Sequence, residues 1–146
     1  MSNSNLPIAT PCTCAMLRRT TRRVTQLYDQ ALRQVGVRLT QYSVLAKVAR
    51  NDGLSITEMA ERLEMDRSTL TRNLRPMVRS GWIRIDAGPD NRQRAVQITP
   101  EGQAKFAEAQ PLWKKTEKAL RATVGKEEVE ALRQLLDRLL VVAGQP

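Results

Sequence analysis

The chain contains no histidine, only two cysteines, and aromatic residues at 3% of its length. Without histidine there is no common general base, no Ser/His or Cys/His nucleophile pair and no histidine-containing zinc site. Serines, threonines and carboxylates are present, but they fall at helix caps and on charged helix faces. No catalytic constellation, metal site or cofactor requirement emerges. With so few aromatics, the core must be built mainly of Leu, Val, Ile, Ala and Met. No apolar run approaches the roughly 20 residues that cross a bilayer. The first eleven residues, Met1 to Pro11, are polar and lack the basic start and apolar centre of a secretory signal. The expectation is a cytoplasmic protein.

The chain does have positive charge. Twenty-four Lys and Arg against 15 Asp and Glu give +9, and the pI is near 10.4. Such a balance favours a polyanionic partner, and with a membrane disfavoured that partner is nucleic acid. A length of 146 residues suits one compact domain with a helical extension.

The densest signals lie between Ser55 and Thr99. Ser55-Ile-Thr-Glu58 has capping-box spacing, and Ile56, Met59, Ala60 and Leu63 give the helix behind it one apolar side. Glu64-Met65 leaves room only for a sharp corner, and Asp66 is a good N-cap for the next helix. In that helix Leu70, Leu74, Met77 and Val78 form a stripe. Ser68, Arg72, Arg75 and Arg79 take the opposite side, with Thr71 at its edge. Gly81 ends the helix, Trp82-Ile-Arg-Ile85 alternates like a strand, Ala87-Gly-Pro-Asp-Asn91 is turn chemistry, and Val96 and Ile98 resume the alternation. A helix, a corner, an arginine-faced helix and an arginine-tipped hairpin in direct succession suit a nucleic-acid duplex, the helix in the major groove and the basic arm in the minor groove.

Two of these segments resemble one known family. Asp90-x-Arg92 followed by Ile98-Thr99-x-x-Gly102 is similar to the wing signature of the MarR family of bacterial winged-helix regulators, and Asp66-Arg-Ser-Thr-Leu-Thr-Arg72 resembles the start of its recognition helix. The likeness extends over nearly the whole chain from about residue 15. It implies a homodimer that binds double-stranded DNA at a pseudo-palindromic operator and releases it when a small molecule or oxidant arrives.

The expected fold is mostly α: a winged helix-turn-helix with long N- and C-terminal dimerisation helices and a two-stranded β wing. Residues 1–13 read as a flexible arm and 14–37 as a dimerisation helix ending by Gly36. Residues 38–100 form the DNA-binding domain, its first helix capped by Thr40 and carrying Tyr42, Leu45, Ala46, Val48 and Ala49. Residues 101–146 supply the C-terminal dimerisation helices. Thr99-Pro100-Glu101 is a strong helix start; Pro111, inside that helix, predicts a kink between Ala107 and Pro111. In the last helix Val129, Leu132, Leu135, Leu136, Leu139 and Leu140 form a stripe too large for a winged-helix core to absorb, so a second copy is expected to cover it.

Ser68, Thr69, Thr71, Arg72 and Arg75 are the candidates for bases and phosphates in the major groove. Arg72 is assigned to guanine because its planar fork matches two acceptors there, although Pro76 removes the bond to the Arg72 carbonyl and could bend the helix. By resemblance Arg92 enters the minor groove, oriented by Asp90 and supported by Arg94. Tyr28, Tyr42 and Trp113 could line a cleft for a small organic anion or phenol. Cys12-Thr-Cys14 cannot complete a zinc site alone. A disulfide across two residues would be strained, and the cytosol would reduce it. Two readings stay open: a reactive thiol at Cys14, promoted by a helix N-terminus and Arg18, Arg19, Arg22 and Arg23, or small apolar residues at a dimer interface. Cys14 occupies the place of the reactive cysteine in the family's hydroperoxide-sensing OhrR-like branch, and Tyr28 matches a tyrosine that supports it there. Leu39 departs from that branch's second tyrosine. A DNA-organising protein without sequence preference is the remaining alternative.

Overall fold

The computed structural model describes residues 12–51, 53–87 and 94–144. Helix α1 spans Thr13–Leu32 and gives way to a 3-10 turn, Arg33–Val35, that ends on Gly36 in the left-handed region. Helix α2 covers Leu39–Arg50, strand β1 Leu54–Ser55, α3 Ile56–Arg62, α4 Arg67–Arg79, β2 Ile83–Ala87, β3 Arg94–Ile98, α5 Pro100–Val124 and α6 Lys126–Ala143. The strands form an antiparallel sheet in the order β1-β3-β2, with Leu54 and Ile85 on either side of Val96. The hairpin is thus joined by a short third strand, too brief to show any alternation in the sequence.

Local chemistry sets most boundaries. The Glu58 amide donates to Ser55 Oγ at 3.1 Å, and the Ser55 amide donates to Glu58 Oε2 at 2.8 Å, closing the capping box of α3. Asp66 caps α4, accepting from the Thr69 amide at 2.8 Å. Thr99 caps α5, accepting from the Gly102 amide at 3.0 Å. The cap of α2 differs from expectation. Arg38, not Thr40, is the N-cap and Leu39 is the first helical residue. Two side chains move the start back: Gln41 Oε1 accepts from the Arg38 amide at 2.9 Å, and Asp29 of α1 accepts from the Leu39 amide at 2.7 Å. Helices α4 and α5 run on through Pro76 and Pro111 respectively.

The α3–α4 corner closes with backbone bonds from Met65 to Ala60 and from Glu64 to Glu61. This places Glu64 at φ +50°, the one left-handed non-glycine among the described residues. At the other end of α4, Trp82 donates to Met77 and Gly81 to Val78, with Gly81 at φ +72°. That is the double closure a left-handed glycine permits.

The main core gathers Val44, Leu45 and Val48 of α2, Ile56, Met59 and Ala60 of α3, Leu70, Leu74 and Met77 of α4, and Ile83 and Val96 of the sheet. Val44 thus joins the core, whereas Ala49 is exposed. Val78, assigned to the buried stripe of α4, is 40% exposed. A second cluster holds Leu32, Val37, Tyr42 and Ala109, and Trp82 and Phe106 pack against both clusters. None of the described residues of α6 is buried, and Leu135 and Leu140 are 54% and 53% exposed.

Candidate nucleic-acid interface

Helix α4 is held by burial of Leu70, Leu74 and Met77, which turns Ser68, Arg72, Arg75 and Arg79 to solvent. Arg67, which the sequence reading passed over, is exposed on the same helix. The three hydroxyl residues proposed for the major groove are tied to local geometry before any partner arrives. Ser68 and Thr69 each donate a hydroxyl proton to the Asp66 carboxylate at 2.6 Å, and Thr71 donates to the Arg67 carbonyl at 2.8 Å. Their oxygens keep only acceptor capacity unless these bonds exchange. Arg72 reaches back to Thr69 Oγ1 at a weak 3.4 Å. Arg75 and Arg79, with no side-chain hydrogen bond among the described residues, are the groups on this face least committed within the chain.

The three hydrogen bonds that Asp66 accepts hold its carboxyl well below the usual carboxylate range, and bonds from the Ser55 amide and hydroxyl lower that of Glu58. Both caps therefore stay anionic at neutral pH.

Arg94 is exposed at the first position of β3. Arg84, on the neighbouring strand, is exposed too and bonds Asp86 Oδ2 at 3.2 Å and Gln97. Asp90 and Arg92 lie outside the described residues. Arg18, Arg19, Arg22 and Arg23 of α1 are all exposed.

A second arginine-bearing surface lies beside α4. Arg38, Thr40 and Gln41 of the α2 start face Arg72, Asn73 and Pro76 across an open cleft of about 520 Å³. Sequence reasoning missed Arg38 and Gln41. The one available signal was the spacing, a glutamine three residues after Arg38, which is the acceptor half of a capping box.

The three candidate ligand residues do come together, but not as one cleft. Trp113 stacks on Tyr42 with ring centroids 5.4 Å apart and lies 6.4 Å from Tyr28. Tyr42 and Trp113 line a pocket of about 320 Å³ with Ser43, Ala46, Lys47, Arg50 and Leu63. Burial pushes the Tyr42 hydroxyl up, with Arg50 opposing. Tyr28 is absent from that lining. It is buried, and its hydroxyl donates to Glu117, which also accepts from Arg121 Nε at 2.7 Å. Burial, then the bond to Glu117, raises the Tyr28 phenol well above its ordinary value. Cys12 is the N-cap of α1 and Cys14 lies in its first turn; both are exposed and unpaired.

This arrangement of helices and hairpin is found in known proteins. The MarR family model matches residues 37–94. The crystal structure of the M. tuberculosis transcriptional regulator MosR in complex with DNA is 35% identical, covers 88% of this chain and 98% of its own, and superposes with a TM-score of 0.76. The chain belongs to the MarR family. As such it is a transcriptional regulator and not an enzyme. The repressor CouR, solved on a 23-mer DNA duplex, is 25% identical over 88% of this chain and 92% of its own, with a TM-score of 0.79. The uncharacterised HTH-type regulator YwoH of Bacillus subtilis strain 168 is 25% identical over 124 residues, 85% of this chain and 90% of its own. No helix among the described residues of this MarR-family protein is long and apolar enough to cross a membrane.

Proposed function

We propose that this MarR-family protein represses transcription as a homodimer on a pseudo-palindromic double-stranded DNA operator and lets go when a small organic ligand binds. One observation carries the DNA half: the stripe that buries Leu70, Leu74 and Met77 fixes α4 so that Arg72, Arg75 and Arg79 point outward beside a sheet whose β3 begins with Arg94. MosR and CouR, with DNA in their structures, support the same reading. In it Arg72 reads a guanine and Arg75 grips phosphate. Ser68, Thr69 and Thr71 border the bases, and Arg92, with Asp90 and Arg94, follows the minor groove. Fragments selected from the source genome should bind at least ~10³-fold more tightly than random duplex. A ratio near one would instead fit a DNA-organising protein.

The dimer follows from the uncovered stripe of α6. Leu132, Leu135, Leu136, Leu139 and Leu140 are all among the exposed large apolar residues, and a stripe of that length calls for a partner helix. A second copy would place two α4 helices about one DNA turn, ~34 Å, apart. Sedimentation at micromolar concentration should give twice the chain mass.

The pocket at Tyr42 and Trp113 supports an effector role. Its walls are apolar and aromatic, and Lys47 and Arg50 add positive charge, which suits a small aromatic anion. Benzoate or salicylate should quench Trp113 fluorescence, and the quench should vanish in Trp113→Phe.

A thiol-based sensor of the same fold is the second reading, favoured by the exposure of Cys12 and Cys14 at the start of α1 beside four exposed arginines. Maleimide labelling across pH, with Cys14→Ser as control, decides it. An ordinary thiol titration would remove the oxidant from the account.

A further inference from the structure

We infer that the cleft between the first turn of α2 and the middle of α4 seats the DNA sugar-phosphate backbone, with Gln41 and Arg38 as contacts additional to those of α4 and the wing. The inference rests on the DNA-binding reading above and adds a second line of contact to it.

The lining is the first argument. Arg38 and Arg72 bring a guanidinium from each wall, Thr40 and Gln41 add polar groups, and no carboxylate lines the cleft among the described residues. Two fixed positive charges without a counter-charge suit a polyanion. The cleft is only partly enclosed, with a volume of about 520 Å³, so a backbone segment can lie in it without being engulfed. It also borders Arg72, so a backbone lying in it is held beside the residue proposed to read base edges.

The orientation of Gln41 is the second argument. A carboxamide has one acceptor end and one donor end, and which end meets a ligand decides what it can bind. Here Oε1 is occupied by the Arg38 amide at 2.9 Å. The Nε2 group, which makes no hydrogen bond among the described residues, is the end left to serve a ligand in the cleft that Gln41 lines. A phosphate oxygen accepts and never donates, so this pre-set amide is matched to phosphate. Across the cleft, Asn73 donates Nδ2 to Met65 Sδ at 3.6 Å. Its second N–H stays free, so Arg38, Gln41, Asn73 and the Thr40 hydroxyl are the donors this lining can turn to a phosphate while Arg72 reads the base edge.

The same geometry supplies a nearly isosteric test. Gln41→Glu keeps an acceptor for the Arg38 amide, so the start of α2 is preserved, but it replaces the donor with a negative charge. Lys126→Gln, at the exposed start of α6, removes the same unit of net charge away from the cleft. Fluorescence anisotropy on a genome-selected duplex and on a random duplex should show Gln41→Glu at least tenfold weaker on both, and Lys126→Gln within twofold of the parent. Arg38→Gln should reduce the slope of log affinity against log salt by about 0.9, the loss of one phosphate contact. Thermal melting checks that each variant is folded; should Gln41→Glu not fold, the Arg38→Gln slope decides alone. If the parent binds its selected duplex while Gln41→Glu matches Lys126→Gln and the Arg38→Gln slope is unchanged, the backbone seat is wrong and the DNA-binding reading stands. If the parent binds no duplex, both are wrong.

Discussion

Gly102 occupies a place where a methyl group cannot go. A Cβ built there lies 1.9 Å from the Trp82 carbonyl oxygen, 2.8 Å from its carbon and 2.9 Å from Ile98 Cγ1, whereas real Cβ contacts essentially never fall under 3.0 Å. The deficit to the oxygen, 3.0 minus 1.9, is about 1.1 Å, and the obstacle is backbone rather than a side chain that could swing aside. Gly102→Ala must therefore push the first turn of α5 away from the start of β2. That movement strains two bonds: the Thr99 amide to the Trp82 carbonyl and the Gly102 amide to Thr99 Oγ1, both 3.0 Å. Overpacking of this kind costs about 1–3 kcal/mol, and the strained bonds push toward the top of that range. At roughly 2–4 °C per kcal/mol for a chain of this size, a loss of about 3 kcal/mol lowers the melting midpoint by ~6–12 °C. Circular dichroism melts of Gly102→Ala and of the exposed neighbour Gln103→Ala would measure it, the control staying within about 0.5 kcal/mol of the parent. A Gly102→Ala midpoint within a degree or so of the parent would refute the packing argument.

Arg72→Ala should lose discrimination between its selected duplex and a single-base variant by about 1–3 kcal/mol, read by competition binding; unchanged discrimination removes Arg72 from base reading. Glu64→Gly should raise the melting midpoint. A left-handed non-glycine costs about 1–2 kcal/mol, of which glycine gives back roughly 0.5–1 in the unfolded chain; a lowered midpoint would show that Glu64 holds something the corner needs. Acid should destabilise the fold through its caps. The Asp66 and Glu58 carboxyls are depressed on folding, so their contribution is complete above the ordinary carboxylate range and drains away as pH falls through it toward the folded values. Melts from about pH 5 to 2 should decline, and Asp66→Asn, which keeps a capping oxygen, should flatten the decline. Leu135→Asp together with Leu139→Asp should convert the sedimenting species to single chains; a persistent dimer would move the interface elsewhere.

Three helix starts were legible because each rests on a bond between residues three apart: Ser55 with Glu58, Asp66 with Thr69, Thr99 with Gly102. The start of α2 was misread for the opposite reason. Its second cap, Asp29, comes from α1, ten residues away, and no local pattern announces it. The outward face of α4 could be read from periodicity, yet the sequence did not reveal that Ser68 and Thr69 spend their protons on Asp66. Nor did it reveal the cleft at Arg38 and Gln41, since a cleft exists only once two helices are placed. Tyr28 shows the limit most sharply. Its spacing allowed a ligand wall or a cysteine partner, but the chain brings Glu117 to its hydroxyl across 89 positions.

Trp82 explains why the arginine-bearing elements hold one geometry. Its amide closes the end of α4 on Met77, its carbonyl takes the Thr99 amide at the start of α5, and its ring packs against both clusters with Lys105 Nζ 5.9 Å from the centroid. Gly102 is small so that this peptide can be approached. A shift of α5 is therefore transmitted to the end of α4 and to the first residue pair of the hairpin, Ile83 with Ile98. The pocket at Tyr42 and Trp113 lies on the same helix, α5, one to two turns beyond Phe106 and Ala109. A ligand that displaces Trp113 thus acts on the element already bonded to the Trp82 peptide. The coupling requires that Gly102→Ala lower duplex affinity by displacing the elements that carry Arg72 and Arg94; full affinity in a variant with a clearly lowered melting midpoint would cut this link.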